Sequence, residues 1–312
     1  STVLQTSCKV GPNFHSPTPP NVERYTEKPL PKKTVSTSGA GGQAQTYITN
    51  KDIPILWWEL YQSPEINQLI RTGLANSPNL AAASAALRQA QENLKEQIGN
   101  SMWPSIDVTD SMQTQRYSGA QIGIPNESAT FTIYYTSFNL SYTLDVFGGA
   151  RRQIEALRAQ VDYQQFQVIA AYLTLTANIV TTSVAVASYQ AQINATLDLI
   201  KAEQGVLDII NKQFRLGAVS KENILTQQTL LEQTKATFPP LQKSLSQARH
   251  SLSALVGTFP DAPFPEIDLD RLKLPIEIPV SLPSNLVRQR PDVRASEASL
   301  HQACAQVGVA TA

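Results

Sequence analysis

Cysteine, histidine and charge are all scarce in this chain of 312 residues, and each scarcity removes a class of function. The two cysteines, Cys8 and Cys304, lie too far apart to make a metal-type cluster or a disulfide framework. His15, His250 and His301 are scattered, with no carboxylate or cysteine at ligand spacing. The single GAGG run, at 39–42, sits in a Pro/Ser-rich stretch with no strand before it, so it is no phosphate loop. Asp and Glu are too dispersed for an acid–base pair. The expectation is therefore no enzyme, no cofactor and no metal site. Charged residues make up 16% of the chain, against about 25% in ordinary soluble domains. Lys+Arg and Asp+Glu are 25 each, a formal net charge of zero, which leaves no basic surface to grip nucleic acid. Ser, Thr, Asn and Gln fill the gap, as suits helices that pack on helices or face a wide water-filled space.

Residues 1–52 are rich in Pro, Thr, Ser and Gly and read as an extended arm. The opening STVLQTSCKVGP has no basic n-region or long apolar h-region, so no complete signal peptide is visible, and the chain reads as starting after most of one has been removed. Residues 53–103 hold two short helical patterns broken at Pro64 and Pro78, then an alanine-rich helix that ends before Pro104.

Residues 104–146 alternate. Ile106, Val108 and Met112 alternate with Asp107, Thr109, Ser111 and Gln113; a polar loop follows. TFTIYYTSFNLSYTLDV (130–146) then puts Tyr134, Phe138, Leu140, Tyr142 and Leu144 on one face. The opposite face carries Ser137, Asn139, Ser141, Thr143 and Asp145. At ~3.3 Å per residue this strand spans roughly 50 Å, where ordinary strands have ~5–6 residues. Two readings fit: a strand of a membrane β-barrel, or a long two-stranded ribbon in water.

Residues 147–258 read as a very long helical hairpin. After Gly148-Gly149 no proline occurs before Leu216, and a stripe from Ile154 through Leu175, Ile179 and Leu207 to Phe214 recurs near the heptad spacing. At ~1.5 Å per residue this helix approaches 100 Å. RLGAVS then supplies a stop, with Gly217 as the residue past the helix end, and a restart, with Ser220 as N-cap and Asn223 three residues on. Pro239-Pro240 is expected to kink or interrupt the returning helix. From Tyr163 to Leu197 no residue is charged, a run long enough to cross a bilayer. Thr174, Asn178, Thr181, Thr182 and Ser183 interrupt it, which disfavours a lipid-facing helix.

The chain repeats itself. SPNLAAASAALRQA from Ser77 aligns with RPDVRASEASLHQA from Arg290, so Pro78 meets Pro291, Leu87 meets Leu300 and Gln89-Ala90 meets Gln302-Ala303 at one constant offset. After a linker, 259–284, the second repeat occupies 285–312 and stops inside its first helix. The expectation is a fragment of two internal repeats of which only the first is complete.

These segments resemble the outer membrane factor family, the TolC-like efflux channels, and within it the lipoprotein branch. CKVGPNFHSP resembles that branch's mature start, LWWELYQSPEINQLI its entry helix and LSYTLDVFGGARRQ its strand-to-helix junction. SALVGTFP resembles the end of its first helical hairpin, and LPSNLVRQRPDVRASEASL the opening of its second repeat. The resemblance implies a mainly α chain with a β-hairpin, assembled as a homotrimer into a transmembrane β-barrel above a periplasmic α-barrel. It implies Cys8 as the lipid anchor, with Gln5 a poor match to the residue usual before processing. It implies Arg215, Leu216, Gly217, Ala218, Val219 and Ser220 as the tip that contacts a periplasmic adaptor, though Gln213 stands where the family often has Arg. Gly148 and Gly149 become the joint between barrel wall and tunnel. The implied function is a passive, gated exit duct for small molecules in a tripartite efflux pump, working with an adaptor and an inner membrane transporter and set in outer membrane lipid. A soluble periplasmic scaffold or adaptor, and an exit duct for secreted polypeptides, stay open as alternatives.

Overall fold

The computed structural model describes residues 9–312 apart from 19–25, 30, 39–40, 50–52, 126, 264 and 281–287. Cys8, the expected lipid anchor, lies outside the described residues. The chain divides into two compact units. One comprises the described part of Ser1–Pro17 with Ala86–Gln165 and Ala295–Ala312; the other comprises the described parts of Thr18–Ala85 and Phe166–Arg294.

Helix α1 (Pro64–Asn76) begins with Ser63 accepting a bond from the Ile66 amide and Pro64 in the first turn, where a missing N–H costs nothing. Helix α2 (Pro78–Met102) follows, and α5 (Pro291–Thr311) starts at the proline that matches Pro78 in the repeat. The tryptophan-rich stretch before α1 is a short 3-10 helix, Trp57–Tyr61, closed by Gln62 in the left-handed region.

Strands β2 (Ser105–Ser118) and β3 (Ser128–Ser141) form an antiparallel ladder that pairs every residue from Ser105↔Ser141 to Ser118↔Ser128 without a bulge. Because directly opposed residues share a face, even-numbered side chains lie on one face and odd-numbered on the other. The strand is shorter than its alternation predicts: it ends at Ser141, and residues 142–145 leave the ladder, since Asp145 is recruited to the following helix.

Helix α3 (Gly149–Arg215) is unbroken over 67 residues, and α4 (Lys221–Val256) runs back from it. The sequence predicts a kink or an interruption at Pro239-Pro240; α4 is not interrupted and continues through both. Both prolines are exposed, and each lacks the N–H that would close a helical hydrogen bond.

In the second unit, Trp58, Ile66, Leu69 and Ile70 pack against Ile179 and Val180 of α3 and Leu252 and Val256 of α4. Gly73 lets α1 approach closely, since a Cβ there would lie 2.5 Å from Ile179 Cδ1. This core absorbs part of the uncharged stretch of α3. That stretch is long and apolar enough to cross a membrane by length and composition, and most of its other residues are only half-buried. Where composition predicts only an extended arm, β1 (Thr46–Thr49) pairs in parallel with β4 (Glu277–Val280), and the Gln45 side chain donates to the Pro275 carbonyl at 2.7 Å.

Candidate functional site

Three sequence-predicted features can be located: the α3–α4 turn, the strand-to-helix junction and the apolar face of the hairpin. At the turn, Arg215 ends α3 and Gly217 adopts φ +75°. The Gly217 amide bonds the Phe214 carbonyl and the Ala218 amide the Gln213 carbonyl, both at 2.9 Å. This is the paired-bond helix stop that a left-handed residue permits. Ser220 does precede α4, but its side chain makes no capping bond. Its carbonyl accepts from the Asn223 amide instead. The turn itself is closed by backbone bonds, and the Arg215 side chain donates Nε–H back to the Asn211 carbonyl at 3.4 Å. Leu216 is 84% exposed, Arg215, Ala218 and Ser220 are exposed, and Val219 is half-buried.

At the junction the two glycines differ. Gly148 has φ +84°, the left-handed region in which a side chain is strained. Gly149 is already the first helical residue, and what it needs is space: a Cβ would lie 3.1 Å from the Ala312 Cβ. Asp145 caps the helix across this turn, accepting from the Ala150 amide at 3.2 Å and the Arg151 amide at 3.1 Å. The Arg151 guanidinium adds Nε–H to the Asp145 carboxylate at 3.0 Å and Nη2–H to its carbonyl at 2.9 Å. Sequence reasoning assigns Asp145 to the strand; the clue to its real role is a carboxylate just upstream of a helix whose first turn has no acidic residue.

The same region of α3 grips the N-terminal strap, a feature the sequence did not disclose. Arg152 is only 1% exposed. Its guanidinium donates to the carbonyls of Val10 and Gly11 at 2.9 Å, to Asn13 Oδ1 at 3.0 Å and to Glu155 at 2.9 Å. Glu155 also accepts from Lys9, and His301 Nε2 of α5 lies 3.1 Å from its other oxygen. Burial opposes ionisation of Glu155, yet the bonds from Lys9, His301 and Arg152 carry its pKa down to about 2. Phe14 stacks on His301 with ring centroids 4.4 Å apart, the Cys304 thiol donates to the Pro12 carbonyl, and the Val10 amide bonds the Phe147 carbonyl. The strap is thereby fixed beside the strand-to-helix junction. The visible clue is Arg151-Arg152 in a helix first turn, where the positive end of the helix dipole disfavours cations unless they have partners.

The hairpin presents Ile106, Val108, Phe138 and Leu140 on its even face, all exposed, with Phe138 at 73%. The odd face at the same level carries Ser105, Asp107, Thr109, Ser137, Asn139 and Ser141. Such an apolar sheet face is unlike a solvated ribbon and like a wall with lipid on one side and water on the other. Among the described residues, no group of His, Cys, Asp and Glu is arranged to hold a metal ion.

A family model described as outer membrane efflux protein matches residues 69–258. The chain belongs to the outer membrane efflux protein family, and its place is the outer membrane and periplasm of a Gram-negative bacterium. The family is one of transport conduits and not of enzymes. The chain is similar to nodulation protein T of Rhizobium leguminosarum bv. viciae, at 26% identity over 313 aligned positions that take in 99% of this chain and 60% of the relative. It is also similar to the pyoverdine export outer membrane protein OpmQ of Pseudomonas putida, at 26% identity over 290 positions, 91% of this chain and 61% of the relative. Its fold is that of the outer-membrane channel OprN, with a TM-score of 0.77 at 24% identity, covering 97% of this chain and 64% of that one. The chain spans about 60% of the length of the curated relatives it matches.

Proposed function

We propose that the chain acts, as a homotrimer, in a passive exit duct of a tripartite efflux pump. In this reading residues 104–146 form part of the membrane barrel, and residues 147–258 a periplasmic helical hairpin that lines a water-filled path for small molecules. The observation that carries the proposal is the unbulged β2–β3 ladder with an exposed apolar face backed by a Ser/Thr/Asn face. Lipid covers the first face and solvent wets the second. The half-buried residues of α3, Leu175 among them, support the same reading, because helices of neighbouring copies complete their burial. Family membership and the printed role of OpmQ in pyoverdine export support small-molecule cargo.

The tip, Arg215 to Ser220, is proposed as the contact for a periplasmic adaptor, which couples the duct to an inner membrane transporter. Leu216 is the residue an apolar partner would cover. Cys8 is proposed as the lipid anchor, supported by its sequence context and by the residues that follow it, 9–14, which are bound beside the junction. The decisive experiment reconstitutes the full chain in planar bilayers and determines its oligomeric state in mild detergent. Trimers with stepwise conductance support the duct. A monomer that stays soluble without detergent and conducts nothing would refute it.

A further inference from the structure

The apolar face of the hairpin does not run its whole length on one side. Below Asp110 and Thr136 the even face is apolar, through Ile106, Val108, Phe138 and Leu140, and the odd face is polar. Toward the loop the assignment inverts. The even face there carries Thr114, Arg116, Thr130 and Thr132, with Thr114 and Thr132 hydroxyls 3.0 Å apart and Arg116 donating to the Ser128 hydroxyl at 3.1 Å. The odd face carries Tyr117, Phe131, Ile133 and Tyr135, with Tyr117 and Phe131 stacked at 6.3 Å, beside the neutral amides of Gln113 and Gln115. No bulge intervenes, so the inversion is a change in sequence pattern and not a slip of register. It falls beyond the Met112–Tyr134 pair, the last exposed apolar pair of the even face; the Asp110–Thr136 pair, whose Thr136 hydroxyl donates to the carboxylate at 2.8 Å, is a single polar rung below it.

Arg116 and the threonines around it are ill-suited to hydrocarbon, which charged side chains enter at a cost that grows with depth. Aromatic residues gather at membrane boundaries, and here Tyr134 stands in the last apolar pair of the even face while exposed Trp103 and Phe147 stand at the other end. At ~3.3 Å per residue and a strand tilt of about 40°, the ladder from Ser141 up to Tyr134 rises roughly 18 Å, and exposed Tyr142, Leu144 and Phe147 extend the apolar run below it toward the ~25 Å height of an outer-membrane apolar band. The strands continue to Ser118 and Ser128, about 15 Å further by the same geometry. Above the membrane both faces meet water, and an apolar set can be sheltered only on the inside of the barrel.

We propose that the outer edge of the lipid lies at Met112–Tyr134, and that Tyr117, Phe131, Ile133 and Tyr135 form a collar facing the lumen at the outer mouth of the pore, opposite the same residues of neighbouring copies. The collar presents phenol and phenyl rings with amide groups and no charge, so it contacts departing solutes through their apolar faces. This inference rests on the barrel reading above.

The test uses the full chain with Cys8 and Cys304 replaced by serine, carrying one nitroxide at Val108→Cys, Phe138→Cys, Phe131→Cys, Thr132→Cys or Ile133→Cys in phosphatidylethanolamine–phosphatidylglycerol vesicles. Collisions with dissolved oxygen report lipid, and collisions with a nickel chelate report water. The expected result is lipid contact at Val108→Cys and Phe138→Cys and water contact at the other three. Dipolar distances between copies should be shorter for Ile133→Cys than for Thr132→Cys. Lipid contact at Phe131→Cys and Ile133→Cys together with Phe138→Cys overturns the collar while leaving the barrel intact. Distances at Ile133→Cys no shorter than at Thr132→Cys, or no coupling at either, also overturn it. Water contact at Phe138→Cys sinks the barrel reading itself.

Discussion

Arg152 and Glu155 hold the strap through a cluster in which neither charge is left without a partner. Glu155 has its pKa carried down to about 2, below the ~4.3 of a free glutamate. A depressed carboxylate contributes stability that is complete above the unfolded value and is lost as pH falls through the folded one. The contribution, about 2 kcal/mol once partial exposure is allowed for, is therefore expected to disappear between roughly pH 5 and pH 2. Comparing thermal unfolding of the wild-type chain with Glu155→Gln across that range checks it: the gap between them closes as the solution becomes more acid. Replacing Arg152 by alanine strands the carbonyls of Val10 and Gly11 and removes one partner of a buried pair, a loss of about 3 kcal/mol. Amide exchange in residues 9–14 should accelerate selectively. Gly308→Ala reaches the same cluster from α5, because its Cβ would fall 2.7 Å from Cδ and Nε of Arg152.

Elements differ in how openly the sequence declares them. The α3 stripe, the alternation of β2 and β3 and the repeated Pro starts of α2 and α5 are regular over many residues, and each is found where its period puts it. The end of β3 was not legible, because Asp145 continues the alternation while serving as a helix cap. The β1–β4 pair was not legible either: TYIT and EIPV are four residues each, too short for a period, and one contains Pro279. Two expectations belong to this scale. Replacing exposed Pro239 and Pro240 by alanine restores two helical N–H donors to α4 and should stabilise it by about 3 kcal/mol or more, read as a rise in the denaturant midpoint. Phe138→Arg puts a charge on the apolar face and should cost about 2–4 kcal/mol of membrane assembly, whereas Ser137→Arg, one residue away on the other face, should be tolerated. Heat-resistant oligomer on a gel distinguishes the two.

For the molecule as a whole, class and compartment were legible through family resemblance in segments such as LSYTLDVFGGARRQ and LPSNLVRQRPDVRASEASL, while low charge and scarce cysteine only narrowed the alternatives. The sequence did not declare the strap, whose grip joins residues 9–14 to α3 and α5 across more than a hundred positions. Association of copies is expected to be nearly insensitive to ionic strength, because the surfaces proposed to meet are apolar and amide-rich in a chain of zero net charge. Oligomer populations in detergent at about 0.05 and 0.5 M salt should match within error.

The parallel pairing of Thr46–Thr49 with Glu277–Val280 carries a consequence for biogenesis. Joining partners some 230 residues apart costs about 5 kcal/mol in loop-closure entropy, so the ribbon closes only after the intervening helices have shortened that loop. At a ribosomal rate of about 5–20 residues per second, the first strand waits on the order of 10–50 s for its mate to be made. During that interval its edge is open to any passing strand. Thr46–Thr49 therefore joins the fold late, after residues 277–280 have been made.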